Sequence, residues 1–268
     1  MLRLAFRVPE DRKEDVLDAL LPMLPSGVHE QEGGGWVELS AIAGALPERS
    51  ALEAAAGRAL DGWEITEVPA DWRRRRALQG GGGVVVAGRV AIRSPWDSPP
   101  AEGIVDVLVE RRGSAFGSGS HPTTQMCVAL LLELEPDGSV ADLGCGVGTL
   151  AIAAAKLGWS PVVAVDRVEV AIEVARENVE RNGVEVACAV ADLAVEDVPS
   201  ASLLLVNAPP SVHERVVASL DSSVRHVIVS GIVAEEVEDV LTRYRGAGFE
   251  VANALGTEDE WIALRLSC

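Results

Sequence analysis

Three closely spaced glycines form the part of the chain whose residue types and spacing most clearly indicate chemistry. The segment 141–150 reads ADLGCGVGTL, with Gly144, Gly146 and Gly148 between a short apolar run and an alanine-rich run. This order predicts a strand, a tight turn and the start of a helix. Glycine permits positive φ and close approach of a ligand to the backbone, and a helix start offers free N–H groups. We therefore expect a ligand-binding turn here.

An acidic residue follows this turn at the distance that nucleoside binding requires. Asp166 comes 22 residues after Gly144, at the end of the apolar run 161–165. In nucleotide-binding folds, an acid at the end of the second strand accepts hydrogen bonds from ribose hydroxyls. The two features together predict a cofactor that contains a nucleoside. The alternative is a glycine turn in an α/β domain that binds no cofactor.

The spacing of the glycines favours one cofactor over another. The dinucleotide fingerprint is G-x-G-x-x-G. Position 149 is Thr, so the third glycine comes one residue early, which disfavours a nicotinamide-dependent oxidoreductase. The pattern D-x-G-x-G-x-G, which begins at Asp142, instead resembles the first motif of class I S-adenosylmethionine (SAM) methyltransferases. That resemblance implies SAM as the cofactor.

Alternating strands and helices are expected to place these residues along one edge of a sheet. The pattern predicts strands at 140–143, 162–165, 186–190, 203–206 and 227–229, and a closing hairpin. Between the strands it predicts helices at 149–157, at 169–182 with Gly183 as the cap, and from Val212. Such alternation indicates a doubly wound parallel sheet. Right-handed crossovers then bring Asp142, Asp166, Asp192 and Asn207 to the edge where ligands bind. Asp192 either approaches an adenine there or is an acid in a turn.

The first part of the chain shows a different arrangement. Residues 1–68 follow the order β-α-β-β-α-β, which is typical of a ferredoxin-like domain. The basic and glycine-rich stretch 69–83 is expected to be a linker, and residues 84–268 form the second domain. The expected fold class is therefore α/β, with a class I, Rossmann-like methyltransferase domain and a small N-terminal α+β ferredoxin-like domain.

Three segments together resemble one family, the ribosomal protein L11 methyltransferases. They are FGSGSHPTT at 116–124, DLGCGVGTLAIAAAKLG at 142–158 and VAVDRVEVAIEVARENVERNGV at 163–184, with weaker similarity through SGI at 230–232. In the first segment we expect Ser120 to cap a helix that has Pro122 in its first turn. The resemblance implies a SAM-dependent protein N-methyltransferase whose ferredoxin-like domain recognises the substrate.

The resemblance also assigns roles to individual residues. It places Thr124 against the cofactor, Gly144 and Gly146 next to its methionine part, and Asp166 on its ribose hydroxyls. It places Asn207 in the methyl-transfer region, as a cofactor contact and as the residue that orients the acceptor. The alternatives are a helix-capping role for Thr124 and a turn role for Asn207.

The chain departs from the family directly after Asn207. It reads N-A-P-P, whereas the family has N-I-L-A or a close variant. Two prolines remove two backbone donors and stiffen the loop where the acceptor nitrogen is expected. The loop loosely resembles the N-P-P-Y of methyltransferases that act on amino groups of adenine or glutamine. The acceptor therefore stays open between ribosomal protein L11 or a similar basic protein, another protein, and a small molecule. A SAM-binding regulatory protein with weak catalysis is a further alternative.

Two histidines are candidates for a general base that takes a proton from an amine. The simpler interpretation is that His121 shapes the H-P-T-T turn and that His213 lies at a helix start. The sequence favours this simpler interpretation. Catalysis then consists mainly of alignment of the donor methyl group with the acceptor nitrogen.

The net charge and the cysteine content limit the kinds of partner and binding site that we expect. The net charge is −18 over 268 residues, a field that repels nucleic acid and attracts cationic partners; the simpler interpretation of the charge by itself is solubility. The four cysteines are far apart and form no C-x-x-C, so we expect neither a metal site nor a disulfide. The chain has no long apolar run and no secretory signal at its start. We therefore expect a cytoplasmic protein that does not enter a membrane.

Overall fold

The computed structural model describes residues 2–20, 23–24, 28–33, 35–43, 45–67, 83–110, 119, 121–257 and 260–268. The predicted linker 69–83, apart from Gly83, lies outside these residues, as do positions 115–118 and 120 of the predicted loop. The described residues form two compact units. The first extends to Glu67, and the second contains residues 83–110 and those from Gly119 onward.

The first unit is an antiparallel sheet with two helices. Its elements are β1 (Leu2–Pro9), α1 (Lys13–Leu20), β2 (His29–Gly33), β3 (Trp36–Ala43), α2 (Arg49–Ala56) and β4 (Asp61–Glu67). The strand order is β2-β3-β1-β4, with antiparallel neighbours throughout. This is the ferredoxin-like topology that the sequence predicted. Its core contains Leu4, Phe6 and Leu39 of the sheet, which pack with Leu52 of α2.

The second unit begins with a small three-stranded sheet. It contains β5 (Val84–Val86), β6 (Val90–Arg93) and β7 (Val105–Leu108), in that spatial order. Strands β5 and β6 are antiparallel, whereas β6 and β7 are parallel. The apolar runs 84–86, 90–92 and 105–109 of the sequence predict three strands, and β5, β6 and β7 lie there.

A large, mostly parallel sheet makes up the rest of the second unit. The elements are α3 (Pro122–Leu131), β8 (Val140–Leu143), α4 (Thr149–Lys156), β9 (Val162–Asp166), α5 (Glu169–Asn182), β10 (Ala187–Val190), β11 (Leu203–Asn207), α6 (Pro210–Ala218), β12 (His226–Val233), α7 (Val237–Gly246), β13 (Glu250–Gly256) and β14 (Trp261–Ser267). None of the helices within the described residues is long and apolar enough to cross a membrane.

The order of the strands creates a switch point in the middle of this sheet. The order is β10-β9-β8-β11-β12-β14-β13, and β14 is antiparallel to both of its neighbours. From β8 the chain winds first towards β10 and then returns to β11 on the other side. Ligands of doubly wound sheets bind outside the carboxyl ends of the strands at such a reversal. In this fold that position lies after Leu143 and Asn207.

Both faces of the large sheet are covered by helices. On β11, Leu203 and Leu205 pack into the cluster that contains α3, α4 and α5, while Leu204 and Val206 pack into the cluster that contains α6 and α7. Full burial of one such side chain contributes about 1.5–3 kcal/mol. Residues 203–206 of β11 are therefore apolar on both faces, as is usual in parallel sheets.

Asn178 on α5 connects segments that come from distant parts of the second unit. Its side chain is fully buried. The amide nitrogen donates to the carbonyl oxygens of Glu110, at 2.9 Å, and Val147, at 3.0 Å. The amide oxygen accepts from the backbone N–H of Glu110 at 2.9 Å. Asn178 thereby holds the chain at Glu110 against the glycine turn that contains Val147.

We expect Asn178→Ala to destabilise the second unit by about 2–4 kcal/mol, because buried backbone groups then lose their partners. In a thermal melt this corresponds to a transition about 5–10 °C lower than that of the wild type. Glu173→Ala, on the exposed side of the same helix, is the matched control and should melt within about 2 °C of the wild type. Equal melting of the two variants would contradict this role of Asn178.

Candidate functional site

The glycine turn has the backbone conformation that its sequence predicts. Gly144 and Gly146 have φ of 80° and 53°, which favours residues without a Cβ atom. The N–H groups of Gly144 and Cys145 both donate to the carbonyl oxygen of Val165 at 2.9 Å. A Cβ atom added at Gly144 would have only the Cβ of Ala208 within 4 Å, at 3.8 Å. The glycine therefore leaves open space on the side of the switch point.

Asp166 is bound to this turn by its own carboxylate. One oxygen accepts from the N–H of Gly146 and the other from the N–H of Val168, each at 2.9 Å. A carboxylate has about four lone-pair positions, so two bonds leave acceptor capacity for a ligand. The side chain is half-buried, which keeps it accessible from the crevice. The structure thus brings Asp166 to the glycine turn, as the cofactor hypothesis requires.

Asp142 comes just before the glycine turn, and its carboxylate is buried instead of facing the ligand-binding edge of the sheet. The residue is 1% exposed, and its Oδ2 accepts from the N–H of Ala151 in the first turn of α4 at 3.0 Å. Its pKa is raised to about 7 because burial disfavours the charged form, and the charge of Asp166 adds to this. Asp142 lies near the end of β8, where it was predicted, but its side chain is turned into the protein. It is a buried acceptor for the helix start.

Thr124 is positioned by a histidine cap. His121 is the residue before α3, in extended conformation, and its Nδ1 accepts from the N–H of Thr123 at 3.3 Å. The predicted cap was Ser120, which lies outside the described residues. The cap lies one position later because Pro122 fixes the first helical residue. Thr124, which follows in the first turn, is 1% exposed, and its Oγ1 has no hydrogen-bond partner in the described part of the chain.

The side chain of Asn207 contains another buried oxygen without a hydrogen-bond partner in the part of the chain that the structure describes. Asn207 is the last residue of β11, paired with Ser230 of β12, and its Oδ1 also has no partner among the described residues. A buried acceptor without a donor costs about 1–3 kcal/mol. Thr124 Oγ1 and Asn207 Oδ1 therefore suit a bound group that carries hydrogen-bond donors. Four buried side-chain atoms among the described residues lack a partner, and two of them, on Thr124 and Asn207, belong to residues predicted to face the cofactor.

The two prolines after Asn207 begin a helix. Ala208 is buried and donates its N–H to the carbonyl oxygen of Ser230 at 3.0 Å. Pro209 is the cap of α6 and Pro210 its first residue, where the missing N–H of proline costs nothing. The helix was predicted to start at Val212, two residues later. The prolines thus shorten the loop between β11 and α6 to two residues, Ala208 and Pro209.

His213 is buried where Ala208, β12 and α7 meet the start of α6, a region that we call the corner. Its side chain has no exposed surface, and its Nε2 lies 3.0 Å from the carbonyl oxygen of Ala208 and 3.1 Å from that of Ser230. Its Nδ1 lies 3.2 Å from the hydroxyl of Tyr244. Burial lowers the pKa of His213, against the opposing effect of the two carbonyl groups. Both ring nitrogens are engaged, so the geometry does not support a general-base role for His213.

Asp192 and His121 are the two candidate residues that remain. Asp192 organises its own turn, since its Oδ1 accepts from the N–H of Ala194 at 2.9 Å. The ring of His121 stacks edge-on against Trp261, with centroids 5.1 Å apart, and burial lowers its pKa. No cluster of three or more metal-binding side chains is present among the residues that the structure describes.

Sequence reasoning missed the connection between His213, Ser230 and Tyr244. The segment SGI at 230–232 was noted only as a weak similarity. It could have indicated an irregular strand at this position, because an isolated glycine inside a strand often marks a bulge. The structure has this irregularity, since the pairing of β12 with β14 shifts register between Val229 and Ile232.

The raised pKa of Asp142 makes stability depend on pH. The folded protein retains this proton at pH values where the unfolded chain has lost it, so stability falls as pH rises from about 4 to about 7. Asp142→Asn keeps an acceptor for Ala151 and removes the charge. We expect this variant to melt about 2–4 °C higher than the wild type at pH 8, and the gain to shrink at pH 5. Thermal melts at both pH values test this, and a gain that does not depend on pH would contradict it.

Comparisons with known proteins agree on one family. The model of the ribosomal protein L11 methyltransferase family matches residues 64–267. A ribosomal protein L11 methyltransferase from Desulforamulus reducens is 36% identical over 189 residues, which cover 67% of this chain and 60% of the relative. One from Thermotoga neapolitana is 41% identical over 157 residues, which cover 57% of this chain and 59% of the relative. The chain thus spans about six tenths of the length of these curated relatives.

A solved structure supports the same conclusion. The ribosomal protein L11 methylase from Lactobacillus delbrueckii subsp. bulgaricus is 27% identical to this chain, with a TM-score of 0.62. The similarity covers 69% of this chain and 98% of that structure. The fold class predicted from the sequence is confirmed by this structure and by the strand order.

Proposed function

Because this chain belongs to the ribosomal protein L11 methyltransferase family, we propose that it is a SAM-dependent protein N-methyltransferase that acts on ribosomal protein L11 or a similar basic protein. The observation that carries the proposal is the pair of buried oxygens on Thr124 and Asn207, which have no partner among the described residues. Asn207 ends β11 at the switch point, where the following Ala208 faces the glycine turn, and Thr124 lies in the first turn of α3.

The residues present fit SAM as the cofactor. Asp166 has acceptor capacity for the two ribose hydroxyls, and Gly144 and Gly146 let the methionine part approach the backbone. Thr124 can donate or accept through a hydroxyl that is otherwise unsatisfied. When bound, SAM supplies a methyl group that its sulfonium has already activated.

Asn207 is the residue that we propose for the acceptor side. Its Oδ1 would accept an N–H of the acceptor amine and so direct the nitrogen lone pair. A lysine amine has an ordinary pKa of about 10.4 and must be neutral to react. Burial next to the apolar Ala208, and beside a cationic cofactor, favours the neutral amine. The chain then contributes alignment and desolvation, and needs no histidine base.

The charge of the chain supports a basic protein as the partner. The net charge of −18 attracts lysine-rich surfaces and repels nucleic acid. We assign capture of this partner to the ferredoxin-like unit, and transfer of the methyl group to the second unit. The four cysteines are all free, which fits the reducing conditions of the cytoplasm, where we place the activity.

The cofactor site is tested by two substitutions. Asp166→Ala removes the acceptor of the ribose hydroxyls and should weaken SAM binding about 10-fold to 100-fold, as expected for loss of hydrogen bonds to a charged group. Gly144→Val places a side chain in the open space of the switch point and should abolish detectable binding. Titration calorimetry with SAM measures both effects. Glu169→Ala, an exposed acid in the next helix, is the control and should bind like the wild type. Unchanged affinity in both test variants would refute the site.

The acceptor is tested by transfer of a labelled methyl group. The wild type, incubated with labelled SAM and purified ribosomal protein L11, should label that protein, and a ribosomal extract identifies any other acceptor. Asn207→Ala should reduce turnover about 100-fold or more while the affinity for SAM changes about 3-fold or less, because the acceptor loses its orientation. An equal loss in turnover and affinity would leave Asn207 with a cofactor role only. Labelling of another component without L11 would replace the proposed substrate.

A further inference from the structure

We propose that His213 is a positioning residue, which fixes the Ala208 peptide and through it holds the side chain of Asn207 in place for methyl transfer. This inference rests on the proposed function, because it assumes that the transferred group lies next to Asn207. It assigns a purpose to a buried histidine that neither binds the cofactor nor acts as a base.

The hydrogen bonds of His213 determine which ring nitrogen carries the proton. Nε2 faces two carbonyl oxygens, of Ala208 and Ser230, which can only accept. Nε2 must therefore be protonated and must donate to both. The hydroxyl of Tyr244 then donates to the unprotonated Nδ1. The neutral ring is satisfied at both nitrogens, and it connects α6 with the end of β11, with β12 and with α7.

The Ala208 peptide is held from its other side by the backbone of β12. Gly231 has φ of 78°, and a Cβ atom there would lie 2.6 Å from the nitrogen and 2.7 Å from the oxygen of Ala208. The N–H of Ala208 donates to Ser230, while its carbonyl oxygen accepts from His213. Every polar group of this residue is thus fixed, and its methyl group faces the glycine turn near Gly144.

This arrangement restricts the direction of the Asn207 side chain. Asn207 lies between the last sheet hydrogen bonds of β11 and the fixed residue Ala208. The direction of its side chain therefore depends on the position of Ala208, whose N–H belongs to the peptide bond that follows Asn207 and whose carbonyl oxygen, in the next peptide bond, is held by His213. If the imidazole were replaced by an apolar group, two buried carbonyl groups would lose a donor, and the peptide would be free to turn. Asn207 would then move with it.

The test compares two ligands that differ only near the methyl-transfer region. S-adenosylhomocysteine lacks the transferred methyl group, and sinefungin has a primary amine on carbon in the place of the methyl sulfonium. An amine at this position can donate to Asn207 Oδ1, so the wild type should bind sinefungin about 10-fold more tightly than S-adenosylhomocysteine. The ratio of the two dissociation constants, measured by calorimetry on the full chain, reports on Asn207 without any acceptor.

The proposal predicts how this ratio changes in each variant. His213→Leu and Asn207→Ala should both reduce the preference for sinefungin to about 2-fold or less, while S-adenosylhomocysteine binds within about 3-fold of the wild type. His213→Gln, which keeps an N–H donor, should restore at least half of the preference. Val216→Ala, a buried substitution on the same helix, is the control for general loss of stability and should leave the ratio unchanged.

Gly231→Ala tests the same peptide from its other side and does not depend on the folding of His213→Leu. Its Cβ would push against Ala208, so it should also reduce the preference for sinefungin. A wild-type ratio in both His213→Leu and Gly231→Ala would overturn the inference, and so would a change in Val216→Ala equal to that in His213→Leu. If the wild type bound neither ligand, the proposed function would fail first. If S-adenosylhomocysteine bound tightly to every variant, the proposed function would be retained, and the ratio of the two dissociation constants would then test the role of His213 alone.

Discussion

The parallel pairing of β8 with β11 is the constraint on which the rest of this structure depends. Val140 is paired with Leu203, and Asp142 with Leu205, so both strands end on the same side of the sheet. These strands are not consecutive in the chain, and the turn after one therefore meets the turn after the other. This places the glycine turn beside Ala208, although the two segments are more than sixty residues apart in the sequence.

The parts of this arrangement that depend on local chemistry could be predicted from the sequence. Strands β8 and β11 are buried on both faces and are apolar except for Asp142 and the terminal Asn207, and the predicted bounds of β8 agree with the structure. Helix α5 was predicted at its observed residues because its apolar period is regular and Gly183 ends it in a left-handed conformation. Asp166 could be found because an acid after the second strand is a recurring feature of nucleoside sites.

The parts that depend on distant partners could not be predicted. His213 looked like a residue at a helix start, but its bonds lead to Ala208, to Ser230 and to Tyr244, on three other elements. The unsatisfied state of the Thr124 and Asn207 oxygens is a property of their surroundings, which no sequence pattern states. The start of α6 was misplaced for a local reason, since two adjacent prolines indicate a stiff loop as readily as a helix start.

The corner built on His213 also constrains how this chain can evolve. The imidazole satisfies groups on three elements, and Gly231 leaves the room in which the peptide between them lies. A mutation at 213 to an aliphatic residue would leave Tyr244 with a buried hydroxyl that has lost its partner, so the favourable second step is a change of that tyrosine to phenylalanine. Positions 213, 231 and 244 should therefore change together across related sequences, and each should be nearly fixed wherever the other two are retained.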